Sequence, residues 1–135
     1  GPARRDAGPM TGTRIADLMQ PAPTTIRCTS TLREAAEVLT RGEIGSVVVE
    51  RNAAMAGFLS ERDIVRALAD GEDPDEARVE DVMSMDVATL GPDDRADEAA
   101  EQMLAGAIRH LPVVDGDRVV GIVSIRDVLA HDHAG

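Results

Sequence analysis

Shifted by 64 residues, this chain matches itself without a gap from Ile15 to Arg66. Asp17 meets Asp81, Met19 meets Met83, and Thr25 meets Thr89. Glu34-Ala35-Ala36-Glu37 meets Glu98-Ala99-Ala100-Glu101, and Gly42-Glu43-Ile44 meets Gly106-Ala107-Ile108. Gly57-Phe58-Leu59-Ser60-Glu61-Arg62-Asp63 meets Gly121-Ile122-Val123-Ser124-Ile125-Arg126-Asp127. A doubled unit of this length is too short for a solenoid, which needs about three repeats or more. Two units facing one another about a pseudo-twofold axis are the expected solution.

Each copy has a readable order. A short helix opens it, at Arg14–Met19 and again at Val79–Met83, the second introduced by Asp73-Pro74 as cap and first helical residue. An extended stretch follows, Thr24–Cys28 and Val87–Leu90. Next comes an amphipathic helix. Thr31-Leu32-Arg33-Glu34 is a capping box, with Leu32, Ala35, Ala36, Val38 and Leu39 behind it. In the second copy Pro92-Asp93-Asp94 opens the helix, and Ala96, Ala99, Ala100, Met103 and Leu104 form its face. Gly42 and Gly106 are placed to stop these helices. Two strands follow in each copy: Ser46–Glu50 with Met55–Leu59, and His110–Val114 with Val119–Val123. Asp115-Gly116-Asp117 is a hairpin signal. A last helix starts at Glu61 and at Ile125.

Charge narrows the possible partners. The 135 residues hold 14 Arg, no Lys and 25 acids, for a net charge of −11. Residues 1–70 carry nine Arg and nine acids; residues 71–135 carry five Arg and sixteen acids. Nucleic-acid affinity comes from basic groups on phosphates and from aromatic stacking. A chain this acidic, with Phe58 as its one aromatic residue, is built for neither. Apolar runs are far below the roughly 18 residues of a membrane span. No secretory signal pattern opens the chain. Cys28 stands alone, which excludes an internal disulfide and a cysteine-based metal site. These features point to a reducing, cytoplasmic setting. Gly1-Pro2 resembles a tag remnant, so residues 1–12 are set apart as a flexible N-terminal segment.

The most informative motif is the strand-to-helix corner Gly-h-h-Ser-x-x-Asp, present twice. Ser60 and Ser124 fall at helix N-caps, with Asp63 and Asp127 three residues on. The plain reading is a capping box, in which Ser and Asp satisfy orphan backbone N–H groups. The functional reading uses the same geometry. A helix N-terminus offers free N–H groups and a positive dipole end to a phosphate, and a carboxylate there can accept hydrogen bonds from a ribose diol. Gly57 and Gly121 clear space where a ligand or backbone comes close.

The doubled unit, Asp-Leu-Met at 17–19, Asp-Val-Met at 81–83, Arg109-His110-Leu111-Pro112-Val113-Val114 and the two corners together resemble a tandem CBS-domain pair, or Bateman module. The resemblance covers roughly residues 13–132. It implies an α/β (α+β) fold of two CBS-type β-α-β-β-α units, a first at 13–72 and a second at 73–132, with a tail at 133–135. It implies no catalysis. It implies an adenosyl ligand (AMP, ADP, ATP or S-adenosylmethionine) bound between the units, a homodimer, and signalling to a separate effector protein. Carried onto this chain, it puts Asp63 and Asp127 on ribose, and Ser60, Ser124, Arg109 and His110 near phosphate. Thr24, Thr25, Ile44, Gly45, Ala88, Thr89 and Ile108 wall the adenine. The two sites should differ, because Arg109 and His110 match Gly45 and Ser46. The low overall affinity for anions favours AMP over ATP. The rival expectation is an adaptor of the same fold with no physiological nucleotide.

Other candidates are weaker. His131-Asp132-His133 near the chain end reads as a tail rather than a metal site. Cys28 reads as a half-buried filler. No catalytic triad, Walker loop or dinucleotide fingerprint is present.

Overall fold

The structure, a computed structural model, describes residues 13–134 and the side chains of 13–130. The segment 1–12, Gly135 and the His131 and His133 side chains lie outside the described residues. A 3₁₀ turn, Ile15–Asp17, is followed by strands β1 (Gln20–Pro21) and β2 (Thr25–Arg27). Then come α1 (Leu32–Gly42), β3 (Ser46–Arg51), β4 (Ala54–Ser60) and α2 (Glu61–Ala69). The second half holds α3 (Val79–Val82), α4 (Ala96–Gly106), β5 (His110–Asp115), β6 (Arg118–Ser124) and α5 (Ile125–Ala134). The fold is mixed α and β.

The chain forms two compact units, and these are offset from the sequence copies. Pro23–Val87 make the central unit; the described residues of Gly1–Ala22 and Ala88–Gly135 make the terminal unit. In the central unit β2 runs parallel to β3, which pairs antiparallel with β4. In the terminal unit β6 pairs antiparallel with both β1 and β5. The first 3₁₀ turn therefore packs with the second copy's strands. The Ile15 N–H donates to the Asp94 carbonyl at 2.8 Å, and Ile15 is fully buried beside Leu90, Ala99 and Val113. Reciprocally, Val79 of the second copy is fully buried in the core of the first, with Leu32, Val49 and Leu59.

The corner glycines explain this exchange. A Cβ on Gly57 would lie 2.7 Å from both the Ser84 carbonyl oxygen and Met83 Sδ. A Cβ on Gly121 would lie 2.9 Å from the Gln20 oxygen and press on Met19 Sδ. The Asp-x-Met motif of each copy thus sits on the other copy's glycine. Backbone and methionine, rather than ligand, take the space.

Both cores repeat the 64-residue spacing: Leu32 with Ala96, Leu39 with Met103, Val49 with Val113, and Leu59 with Val123 are all buried. Apolar burial of this kind is the main force holding each sheet to its helices. Cys28, expected half-buried, is 5% exposed and belongs to the central core.

Several local expectations are corrected. The Val87–Leu90 strand reduces to a single parallel bridge, Leu90 to Val113. The Cys28 N–H extends β2 by donating to Glu50 O at 3.0 Å, but the matching residue is Pro92, which has no N–H to give. Pro92-Asp93-Asp94 forms a turn, closed by the Gly91 N–H on Asp94 Oδ2 at 2.8 Å; α4 starts at Ala96 with Arg95 as an N-cap lacking a side-chain bond. Likewise Asp73-Pro74 opens a turn, in which Asp73 Oδ1 accepts from the Asp75 N–H, and α3 begins only at Val79. The Arg14–Met19 helix shortens to the 3₁₀ turn Ile15–Asp17. Gly42 and Gly106 are the last helical residues, and Glu43 and Ala107 take the left-handed cap at φ 53° and 55°. A Cβ on either glycine would meet the following isoleucine, at 3.4 Å from Ile44 and 3.0 Å from Ile108. Leu104, placed on the core face of its helix by periodicity, is exposed.

Candidate ligand-binding corners

Each unit ends a β-hairpin directly at a helix N-terminus. In the central unit Ser60 is the last residue of β4 and the N-cap of α2, with extended backbone (φ −112°, ψ 164°). Its hydroxyl accepts from the Asp63 N–H at 3.2 Å, and its own N–H donates to Asp63 Oδ2 at 2.9 Å. The capping box is closed. The Asp63 side chain is 15% exposed, and its second oxygen, Oδ1, has only Arg66 Nη1 at 3.9 Å.

The terminal unit builds the same corner differently. Ser124 Oγ accepts from the Asp127 N–H at 3.1 Å. The half-buried Asp127 carboxylate makes no hydrogen bond or ion pair among the described residues. No described residue holds either of its oxygens. A carboxylate has about four lone-pair sites, enough for both hydroxyls of a diol.

Strand register adds the third group. In the ladder of β5 and β6, His110 stands directly opposite Ser124; in the central unit Ser46 stands opposite Ser60. Opposed residues point to one face, with Cβ atoms about 4.5–5.5 Å apart. The terminal corner thus gathers His110, Ser124 and Asp127, and the central one Ser46, Ser60 and Asp63. The exposed His110 can donate to an anion there; Ser46 offers a neutral hydroxyl.

Arg109 is placed otherwise. It precedes His110 at a bend just outside β5. Its carbonyl accepts from the Ile125 N–H at 2.8 Å, as the Gly45 carbonyl accepts from the Glu61 N–H at 2.9 Å. A Cβ on Gly45 would lie 3.0 Å from Glu61 Oε1. Residue 45 therefore leans on the first residue of the closing helix, and residue 109 shares the backbone bond.

The remaining expected wall residues are at the surface: Thr24, Thr25, Gly45, Ala88 and Thr89 are exposed, while Ile44 and Ile108 are half-buried against their cores. Sequence reasoning missed a feature of the central unit. A cavity of about 420 Å³ lies between α1 and α2, walled by Leu39, Thr40, Glu43, Ile44, Glu61 and Val65 among others. Ser60 and Asp63 are not in its walls. Its signal was Val65, an apolar residue at an exposed position.

Among the described residues no group of three metal-ligating side chains forms, and no helix is long and apolar enough to cross a membrane.

Two strand–strand–helix corners of this kind, each sealed by the other copy's Asp-x-Met turn, define a tandem pair. The CBS-domain family model matches residues 15–70 and 79–134, and the chain belongs to that family. It is 31% identical over 115 residues to the CBS domain-containing protein YhcV of Bacillus subtilis, spanning 84% of this chain and 81% of that one. It spans between 34% and 53% of three other curated relatives, among them archaeal proteins of Methanopyrus kandleri and Methanocaldococcus jannaschii. A CBS-domain-containing protein of Agrobacterium tumefaciens superposes with a TM-score of 0.77 at 31% identity, covering 90% of this chain and 94% of that one. The CBS domain pair of protein MJ0100, solved with 5'-methylthioadenosine and S-adenosyl-L-methionine, superposes with a TM-score of 0.79 at 28% identity, covering 90% and 97%.

Proposed function

We propose that this chain is a non-catalytic regulatory module that binds a small adenosyl ligand and passes its occupancy to a separate, cytoplasmic partner. The carrying observation is the terminal corner, where an Asp127 carboxylate without a partner among the described residues stands one helical turn from Ser124, which faces His110. Asp127 takes the ribose diol, Ser124 and His110 take a phosphate where there is one, and Ala88, Thr89 and Ile108 flank the base. The central corner works in the same way with Asp63, Ser60, Thr24, Thr25, Ile44 and Gly45. It is the weaker one, because Asp63 Oδ2 is already held by the Ser60 N–H. A ligand found with the related pair MJ0100 supports the adenosyl class. The net charge of −11 supports AMP, methylthioadenosine or S-adenosylmethionine over ATP, since like charge repels a polyphosphate. The chain acts as a homodimer. Signalling requires that ligand bind two arrangements of the protein with different affinity, because a ligand indifferent to both shifts nothing.

Calorimetric titration with AMP, ATP, methylthioadenosine and S-adenosylmethionine tests this. Saturable binding of at least one, with ATP the weakest of the phosphorylated pair, is expected. Silence from all of them at millimolar ligand defeats the nucleotide reading and leaves an adaptor of the same fold.

A further inference from the structure

Five of the six methionines lie among the described residues, and their surroundings differ. Met85 keeps 73% of its surface exposed, Met103 is fully buried in the terminal core, and Met19, Met55 and Met83 are half-buried. Met19 and Met83 close the two Asp-x-Met turns, and each is seated on a buried glycine of a hairpin strand. The place of the missing Cβ on Gly57 is 2.7 Å from Met83 Sδ and 3.0 Å from Met83 Cγ. On Gly121 that place is taken by Met19 Sδ, with Cγ 2.8 Å away. Each thioether fills the notch its glycine leaves. Each also packs on the core beneath, Met83 on the central one and Met19 on the terminal one.

The backbone ties turn and strand together beside the sulfur. Phe58 and Ser84 exchange both N–H bonds at 2.9 Å, and Gln20 and Pro21 pair with Ile122 and Gly121. Three residues past each glycine stand Ser60 and Ser124, whose hydroxyls accept from the Asp63 and Asp127 N–H groups. The two thioethers thus hold their turns against the strands that present the corners.

A half-buried thioether is within reach of a small oxidant. Hydrogen peroxide delivers one oxygen atom: its O–O bond breaks, an S–O bond forms, the sulfur loses two electrons, and the peroxide leaves as water. The sulfoxide is larger and polar. A packed interior has no room for an added atom, and a polar oxygen buried without a donor is costly. At Gly57 and Gly121 the sulfur has already taken the open space, so the turn accommodates the oxygen by lifting away.

We propose that Met19 and Met83 are oxidation sites through which peroxide acts on this chain. A sulfoxide at either one lifts its Asp-x-Met turn from the paired glycine and loosens the corner three residues on. Methionine sulfoxide reductase, drawing two electrons from thiols and releasing the oxygen as water, reseats the turn. The effect on the turns needs no ligand; the effect on binding rests on the proposed adenosyl site.

Peroxide treatment of the full chain, followed by peptide mass mapping and thermal melting, tests this. Met85 is expected to convert first with the melting temperature unchanged. Conversion of Met19 and Met83 is expected to lower it by roughly 5 °C or more, and reductase with dithiothreitol to restore it. The double variant Met19→Leu/Met83→Leu keeps an apolar side chain of similar volume at both seats and retains Met55, Met85, Met103 and Cys28. Its melting temperature is expected to survive the same treatment. Oxidised wild type should bind S-adenosylmethionine or AMP roughly tenfold more weakly than reduced wild type. Met19 and Met83 left unmodified after Met103 has converted overturn the proposal. So does wild type oxidised at both residues that melts as before, or a double variant that falls as far as wild type. A lowered melting temperature with unchanged binding overturns the link to the corners. Reduced wild type that binds neither ligand defeats the adenosyl reading alone, because the melting result does not use ligand.

Discussion

In the central unit, polar side chains close the helix N-termini. Thr31 Oγ1 accepts from the Glu34 N–H at 3.2 Å and the Thr31 N–H donates to Glu34 Oε1 at 2.8 Å, and Ser60 and Asp63 do the same for α2. In the terminal unit Arg95 caps α4 with no side-chain bond, and the Asp127 carboxylate is unengaged among the described residues. The central groove carries Glu43 and Glu61 where the terminal unit has Ala107 and Ile125. Most of the buried positions of the two units, by contrast, correspond, as Leu39 does with Met103 and Val49 with Val113. Packing therefore preserves the doubled fold, while the polar groups that could bind something have diverged. The unit with less internal polar bonding has more free groups to offer a ligand.

The largest effects should fall where the units agree. Leu39→Ala and Met103→Ala, at matching fully or nearly fully buried sites, are each expected to lower stability by about 2–5 kcal/mol in urea unfolding. A tolerated Met103→Ala would show that the terminal core is not built as the central one is. Next are the corner glycines. Gly57→Ala and Gly121→Ala force a methyl onto backbone oxygen and methionine sulfur, and each should cost about 1–3 kcal/mol by thermal melting. Equal losses sharpen the parallel; a neutral Gly121→Ala breaks it. Third, Thr31→Ala should cost about 1 kcal/mol through its lost cap, and Arg95→Ala at the matching N-cap much less. The smallest effect concerns the turn at 73–77. The exposed Asp75 carboxylate, bonded twice by the Arg33 guanidinium, is held below the usual carboxylate range by that bond. A lowered folded value stabilises above the unfolded value of about 3.9 and is lost as pH falls through it. Asp75→Asn should thus melt slightly lower than wild type at neutral pH, with the gap closing in acid.

Much of this was legible in the sequence because periodic apolar residues, capping boxes and hairpin turns are local signals. Leu32, Ala35 and Leu39 repeat at helical spacing, and Ser60 and Asp63 announce their own cap. The exchange of short turns was not legible. A self-match orders Met19 with Met83 but does not say that Met19 packs on Gly121. The lost second strand turned on N–H groups that proline lacks, at Pro92 and, on the facing strand, at Pro112. At the site, the Ser and Asp positions were readable from the motif. The pairing of His110 with Ser124 required strand register, which puts His110 rather than Arg109 opposite the cap. Glu43 and Glu61 looked like two more solvated acids until the fold brought them to one groove.

The central claim is that the terminal corner holds an adenosyl ligand through Asp127. Calorimetric titration of wild type, Asp63→Ala and Asp127→Ala with S-adenosylmethionine and AMP tests it directly. A lost hydrogen-bonded carboxylate should weaken its own site by about tenfold or more, and Asp127→Ala should remove the tighter of the two. Unchanged binding in Asp127→Ala, or a larger loss in Asp63→Ala, would contradict it.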